Sequence, residues 1–265
     1  MNKPSVLYIT LYLPVKDIHG GGNRMFEQIR CLSDKYDIHL ISFVRDWEEP
    51  GIEPLKRFCR EIDTVRIEEK KSKSYSLAEP GFIKNYYSRE MDSLIRGKIK
   101  EKGFNIVQFE YLAMAQYRGG IETKARTILV EHQLGFLCLK KEIAAEENLL
   151  KKLMLLFRYN RLLRYETETF KKFNGVIFIS ACESGYAEDT RHFVSPMGVD
   201  TGFFKPDWKG AEDIDLIYIG NFDNFQNQDS VAYFLKHIWL LIKKKRPETN
   251  IKIIGFNSKE ALAFL

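Results

Sequence analysis

Short apolar runs punctuate the chain at residues 6–10, 38–44, 64–67, 106–109, 127–130, 176–179 and 192–194. Each is nearly continuous in apolar character rather than alternating, the pattern of parallel strands buried on both faces. Amphipathic stretches lie between them. Their periodicity predicts helices over 23–35, 54–61, 85–101, 111–117, 140–172 and 182–188. Strand and helix take turns, so the expected class is α/β: a Rossmann-like, doubly wound parallel sheet with right-handed crossovers.

The rhythm breaks once. Pro196, Gly198, Gly202, Pro206 and Gly210 punctuate residues 195–213, a linker-like composition. It then restarts with a strand over 216–220, a helix over 229–244, a strand over 250–255 and a helix opening near Ser258. The expected organisation is a first domain over 1–199, an interdomain linker over 200–213 and the start of a second domain over 214–265. That last stretch is too short to bury a core of its own. Residues 261–265 are apolar and carry no helix-stop signal, so an incomplete second Rossmann-like domain is expected.

Composition narrows the function classes. The 265 residues carry 41 Lys and Arg against 36 Asp and Glu, a formal charge of +5. Basic and acidic residues are interleaved, which argues against nucleic acid as a partner; the mild surplus suits anionic small molecules or an acidic membrane surface. The four cysteines, at 31, 59, 138 and 182, form no CxxC pair and read as free thiols in a reducing, cytoplasmic compartment. The five histidines show no HxxxH or HxH spacing, so a zinc site is not expected; no other metal and no cofactor is expected either. No stretch approaches the ~20 apolar residues of a membrane span. The apolar run 6–13 ends at Pro14 without a cleavage site and reads as a buried strand rather than a leader. Within 140–172, Leu149, Leu150, Leu153, Leu156, Phe157, Leu163 and Phe170 approximate a helical stripe bordered by Lys151, Lys152, Arg158, Arg161 and Arg164. The solvated outer face of a packed helix is the preferred reading. The alternative is anionic lipid, with the protein peripheral to the inner face of a membrane.

Several positions carry candidate chemistry. Gly20, Gly21, Gly22 and Asn23, after the first strand, read as a loop beyond a strand's carboxyl end, where α/β proteins bind ligands. Without Cβ atoms the backbone N–H groups can approach a phosphate or a sugar. The segment lacks the third small residue of a dinucleotide fingerprint, no acid tips the second strand, and no Walker loop is present. Glu131 and His132 follow the 127–130 strand; there a histidine can bond a hydroxyl or share charge with a phosphate, and a structural role is equally open. Asp213 and Asp215 have metal-binding spacing, yet lie at the amino end of a strand, where a structural role is preferred. Gly220 and Asn221 end the first strand of the second domain, where glycine permits close approach of a ligand.

Taken in order, these pieces resemble the retaining GT-B glycosyltransferases of the large group 1 family. The resemblance runs through the Gly-Gly segment, the strand-end His132 and Asn174-Gly175-Val176-Ile177-Phe178-Ile179-Ser180. It continues with Pro196-Met197-Gly198-Val199-Asp200, Leu216-Ile217-Tyr218-Ile219-Gly220, Asn227-Gln228-Asp229-Ser230-Val231 and Lys252-Ile253-Ile254-Gly255. The resemblance implies two Rossmann-like domains, the first holding the acceptor and the second the nucleotide. It also implies sugar transfer from a nucleotide-sugar donor to a glycan or lipid-linked acceptor, with retention of configuration, as in polysaccharide biosynthesis. By the same resemblance, Gly21 and Gly22 approach donor phosphates and acceptor, His132 contacts the transferring sugar as the catalytic residue, and Gly220 and Asn221 approach the diphosphate. Two departures stand out. Asn221 and Gln226-Asn227 occupy a stretch where the family often carries basic residues, and the family's paired-glutamate segment falls beyond residue 265. The 265-residue chain alone is therefore expected to be an inactive fragment. The alternative is a non-catalytic saccharide- or nucleotide-binding module, or a partner subunit. A nucleotide-sugar epimerase is disfavoured, since no acid-base constellation for proton abstraction is evident.

Overall fold

The computed structural model describes residues 3–16, 18, 20–67, 81–206, 214–223 and 225–259. His19, Asp213 and the apolar end 261–265 lie outside them. Contacts divide the chain into two units, Met1–Val199 and Asp200–Leu265.

The first unit is built on seven parallel strands: β1 (Ser5–Thr10), β2 (Asp37–Val44), β3 (Cys59–Arg66), β4 (Ile106–Glu110), β5 (Arg126–Glu131), β6 (Gly175–Phe178) and β7 (His192–Val194). Their order in the sheet is β3-β2-β1-β4-β5-β6-β7. Strand β1 is central; its Val6 is in register with Ile38 of β2 and Ile106 of β4. Alternate side chains feed two cores. Val6 and Tyr8 pack with Phe26 and Ile29 of the helix Gly20–Leu32, while Leu7 and Ile9 share the other core with Met91, Ile95 and Ile99 of the helix Arg89–Lys102. Burying such a side chain contributes about 1.5–3 kcal/mol, which holds a layer of helices on each face.

The structure revises three local expectations. A helix over 54–61 gives way to a short turn of helix, Ile52–Leu55, followed by β3. This strand is at the sheet edge, where charged side chains are tolerated, and its Glu61 and Asp63 are met by cations of the neighbouring helix. Lys98 Nζ lies 2.9 Å from Glu61 and 2.7 Å from Asp63, and Lys102 also bonds Glu61. Hydrogen bonds from Lys102 and Lys98 hold the Glu61 carboxyl down at about 2. Ion pairs, rather than apolar side chains, thus cover this part of the strand. The helix expected over 140–172 is two helices, Gly135–Ala145 and Leu149–Phe170. The break is marked by Asn148, whose side-chain oxygen accepts from Lys151 N at 3.1 Å and caps the second helix. Finally, Gly20–Gly22 form the first helical turn rather than a free loop.

In the second unit β8 (Leu216–Ile219) pairs in parallel with β9 (Ile251–Ile254). Between them runs a helical rod made of Phe225–Tyr233, a wider turn over Phe234–Trp239 and Leu240–Lys245. Phe222 and Val231 are its buried apolar centre.

Candidate functional site

Strands β1 and β4 are neighbours in the sheet, yet the chain leaves β1 toward β2 on one side and reaches β4 on the other. Such a switch in strand order opens a crevice at the carboxyl ends, the usual ligand position in an open α/β sheet. Several buried polar groups of the first unit lie at these strand ends.

Glu110 closes β4 and is fully buried. Its Oε1 accepts from Gln108 Nε2 at 2.6 Å, and its Oε2 lies 2.7 Å from His132 Nε2. Gln108 and Glu110 share one face of the strand because they are two residues apart. The next residue, Tyr111, has φ 73°, a left-handed conformation unusual for a side chain of this size. Its backbone N donates to Val130 O at 2.9 Å. That turn lays its ring flat on His132, with centroids 3.8 Å apart and planes 14° from parallel. The Tyr111 hydroxyl bonds that of Tyr12, just beyond β1. Burial first of all pushes the Tyr111 phenol up to about 12, and raises Tyr12 as well, so both stay protonated and neutral.

The two hydroxyls rest directly over Gly21: a Cβ there would overlap both. A Cβ on Gly20 would touch Met197 Cε at 3.4 Å. Gly22 is buried and Asn23 half-buried in the same turn. The glycines therefore let a helix start press against an aromatic pair. One turn in, Arg24 is buried; its guanidinium donates to Gln28 Oε1 at 3.1 Å and to the Ser195 carbonyl at 3.3 Å, tying this helix to the segment after β7.

Glu131 has a different setting. It ends β5 within the strand rather than after it and is fully buried, and among the described residues its Oε1 has no hydrogen-bond partner. Burial raises its carboxyl well above the ordinary value, and Glu166, Glu183 and Glu110 push the same way. Glu166, raised to about 8 chiefly by burial, accepts from Gly135 N at 2.9 Å; Glu183 accepts from Leu134 N at 3.5 Å. The structure thus brings together Gly20, Gly21, Tyr12, Tyr111, His132 and Glu110, and sets Glu131 among carboxyl groups at the start of the helix Gly135–Ala145. The residues missed by sequence reasoning are Glu110, Tyr111, Tyr12 and Arg24. One signal was available: Glu110-Tyr111 repeats at the end of β4 the acid-then-ring pair that Glu131-His132 forms at the end of β5.

In the second unit, Gly220 N donates to Ile254 O at 3.1 Å, and a Cβ on Gly220 would crowd the Asn227 amide at 3.2 Å. Asn221 Oδ1 accepts from Asp223 N at 3.0 Å, while its carbonyl accepts from Asn227 Nδ2 at 2.8 Å. Side-chain amides, with no cation between 220 and 228, shape this turn. Asp215 pairs with the backbone of Asn250 at 2.8 Å at the opposite, amino end of the strands.

An open groove of about 640 Å³ lies at the amino ends of β2 and β3, away from these groups. Three of its cations are already engaged, Lys3 on the Ser33 carbonyl at 2.8 Å, Arg30 on Glu27 at 2.6 Å and Arg60 on Asp37 at 3.4 Å.

No protein-family model matches the chain, and no curated protein matches it in sequence. Solved structures do resemble it. Sucrose-phosphate synthase from Thermosynechococcus elongatus aligns over 98% of this chain and 72% of its own, at 14% identity and a TM-score of 0.62. The N-terminal domain of trehalose-6-phosphate phosphatase from Candida albicans aligns over 96% of this chain and 64% of its own, at 13% identity and a TM-score of 0.55. A protein assigned as a UDP-N-acetylglucosamine 2-epimerase, from Listeria monocytogenes, aligns over 100% and 67%, at 12% identity and a TM-score of 0.54. At such identities the likeness is one of fold. The chain shares a Rossmann-like α/β fold with these structures. No described helix is long and apolar enough to cross a membrane.

Proposed function

We propose that this chain serves sugar transfer from a nucleotide-sugar donor to a glycan or lipid-linked acceptor, with retention at the anomeric carbon. In that reaction the bond from the anomeric carbon to the diphosphate oxygen breaks. The acceptor oxygen bonds to the same face of that carbon, and the acceptor proton leaves with the nucleoside diphosphate. The observation that carries the reading is the group at the β1–β4 switch point: His132, fixed by Glu110 at 2.7 Å and stacked on Tyr111, beside the glycine-started helix. With Nε2 directed at a buried carboxyl, the imidazole is held in one orientation, and Nδ1 is left to meet a sugar hydroxyl. Gly20, Gly21, Gly22 and Asn23 offer backbone N–H groups to anionic or hydroxyl-rich ligands. Beside this group, burial raises the carboxyl of Glu131 well above its ordinary value. The second unit, taken by itself, offers the Gly220 backbone and Asn221 to a diphosphate.

A second reading, a saccharide- or nucleotide-binding module without chemistry, is favoured by one observation: the 220–228 turn is built from amides and lacks the cations that would neutralise a leaving diphosphate. The two readings separate in one experiment. The intact protein is incubated with a panel of nucleotide sugars and acceptors, and products are examined by NMR for anomeric configuration. Transfer with retention that is lost in His132→Ala, while donor binding persists by calorimetry, supports the enzyme. Saccharide or nucleotide binding with no transfer from any donor supports the module.

A further inference from the structure

The helix Leu149–Phe170 has two different halves. From Leu162 onward it is anchored, with Leu162, Glu166 and Phe170 buried against the first unit. In its first turns only Leu155 and Tyr159 pack on that core. The opposite side is bare: Leu149 is 71% exposed, Leu150 75%, Met154 67% and Phe157 60%, with Leu153 and Leu156 exposed beside them. At 100° per residue these six fall within an arc of roughly 160°, and from 149 to 157 they extend about 13 Å along the axis. Scattered exposed apolar residues are ordinary, but a contiguous stripe of large ones marks an interaction surface. The stripe expected from sequence as one helix face is therefore split: Phe170 enters the core and Leu163 packs at its margin, while the residues before Arg158 face outward.

The charges beside the stripe select its occupant. Between residues 149 and 165 there are five cations, Lys151, Lys152, Arg158, Arg161 and Arg164, and not one acid. On the helical wheel Lys151, Arg158 and Arg161 run along one border of the stripe. A second copy docked through the same face would bring these cations toward their own counterparts. An anionic lipid surface meets both features: the apolar arc enters the boundary between headgroups and acyl chains, and the cations sit on the headgroups. We propose that the first half of this helix lies in the plane of an anionic membrane surface and seats the protein there. The inference is independent of sugar transfer, since it is measured without donor or acceptor.

The test is sedimentation of the intact protein with vesicles of phosphatidylcholine containing phosphatidylglycerol, against vesicles of phosphatidylcholine alone. Binding is expected only to the anionic vesicles and should weaken as salt is raised. Leu153→Glu or Phe157→Glu should each weaken it about tenfold or more. Lys151→Gln combined with Arg158→Gln should weaken it about thirtyfold, the equivalent of about 1 kcal/mol for each of the two cations near such a surface. All of these positions are exposed, and circular dichroism checks that each variant remains folded. Failure to bind anionic vesicles, or equal binding by Leu153→Glu, overturns the proposal. So does a wild-type dimer that Leu153→Glu converts to a monomer, which would assign the stripe to a second copy.

Discussion

The ends of β4 and β5 read almost alike: Phe109-Glu110-Tyr111 and Val130-Glu131-His132. Each places a glutamate at the last position of an inner parallel strand, followed by a ring. Both glutamates are buried to the same extent, yet their surroundings are opposite. Glu110 has a partner on each oxygen, Gln108 within its own strand and His132 across from β5. Glu131 faces Glu166 and Glu183, and its Oε1 has no hydrogen-bond partner among the described residues. A buried acid is chemically defined by what faces it. Beside an imidazole and an amide it orients a ring; among other acids it keeps its proton.

The difference can be tested by substitutions at each end. On the proposed function, His132→Ala should lower transfer by the intact protein about 1,000-fold, equivalent to about 4 kcal/mol of transition-state stabilisation, with donor affinity retained. Initial rates and calorimetry measure the two quantities. Glu110→Gln keeps the shape and removes the charge behind the imidazole. Turnover should fall about 10- to 100-fold, or about 1.4–2.7 kcal/mol, with KM little changed.

The β5 side should respond in stability instead. The Glu166 carboxyl holds its proton up to about 8 in the native chain, against an ordinary value of 4.5. Between those values the native state binds more protons than the unfolded state. Stability should therefore be greatest at the acid end of this window and fall as pH rises, by up to about 1.4 kcal/mol per pH unit. Glu131, raised in the same direction, adds to this slope. Urea melts of Glu166→Gln between pH 5 and pH 8 should show a flatter profile; an unchanged slope would assign the dependence elsewhere. Glu131→Gln replaces a protonated acid with a neutral group of similar shape. It should change stability by less than about 1 kcal/mol at pH 5 and alter turnover no more than a few-fold. A loss at Glu131→Gln as large as that at Glu110→Gln would erase the distinction between the two strand ends.

Legibility in the sequence followed the physical nature of each signal. Strands β1, β2, β4, β5, β6 and β7 were visible because burial on both faces demands unbroken apolar runs, and these runs coincide with the observed strands to within a residue or so at each end. Most of β3 was not visible, because its Glu61 and Asp63 are covered by Lys98 and Lys102, which lie some 40 residues away in sequence. The break at 146–148 was written in Asn148, a capping residue, but the leucines on either side of it continue the helical period. The glycine segment was legible as a place of close approach; that the approaching groups are two tyrosine hydroxyls was not. His132 could be singled out by its strand-end position, whereas its partner could not, since Glu110 and Glu131 offer equivalent local patterns.

By itself the amino-acid order determined the alternation of strand and helix, the change of rhythm after 195 and the glycines that open the first helix. Those features are local, set by which side chains recur at a period of two or 3.6 and by which positions lack a Cβ. Tertiary structure decided the order of strands across the sheet, and with it that β1, β4 and β5 lie side by side. A crossover can carry the chain to either side of a strand already in place, so the period alone does not name the neighbour. Only once β5 lies against β4 does the acid 22 residues before His132, rather than the one next to it, become its partner.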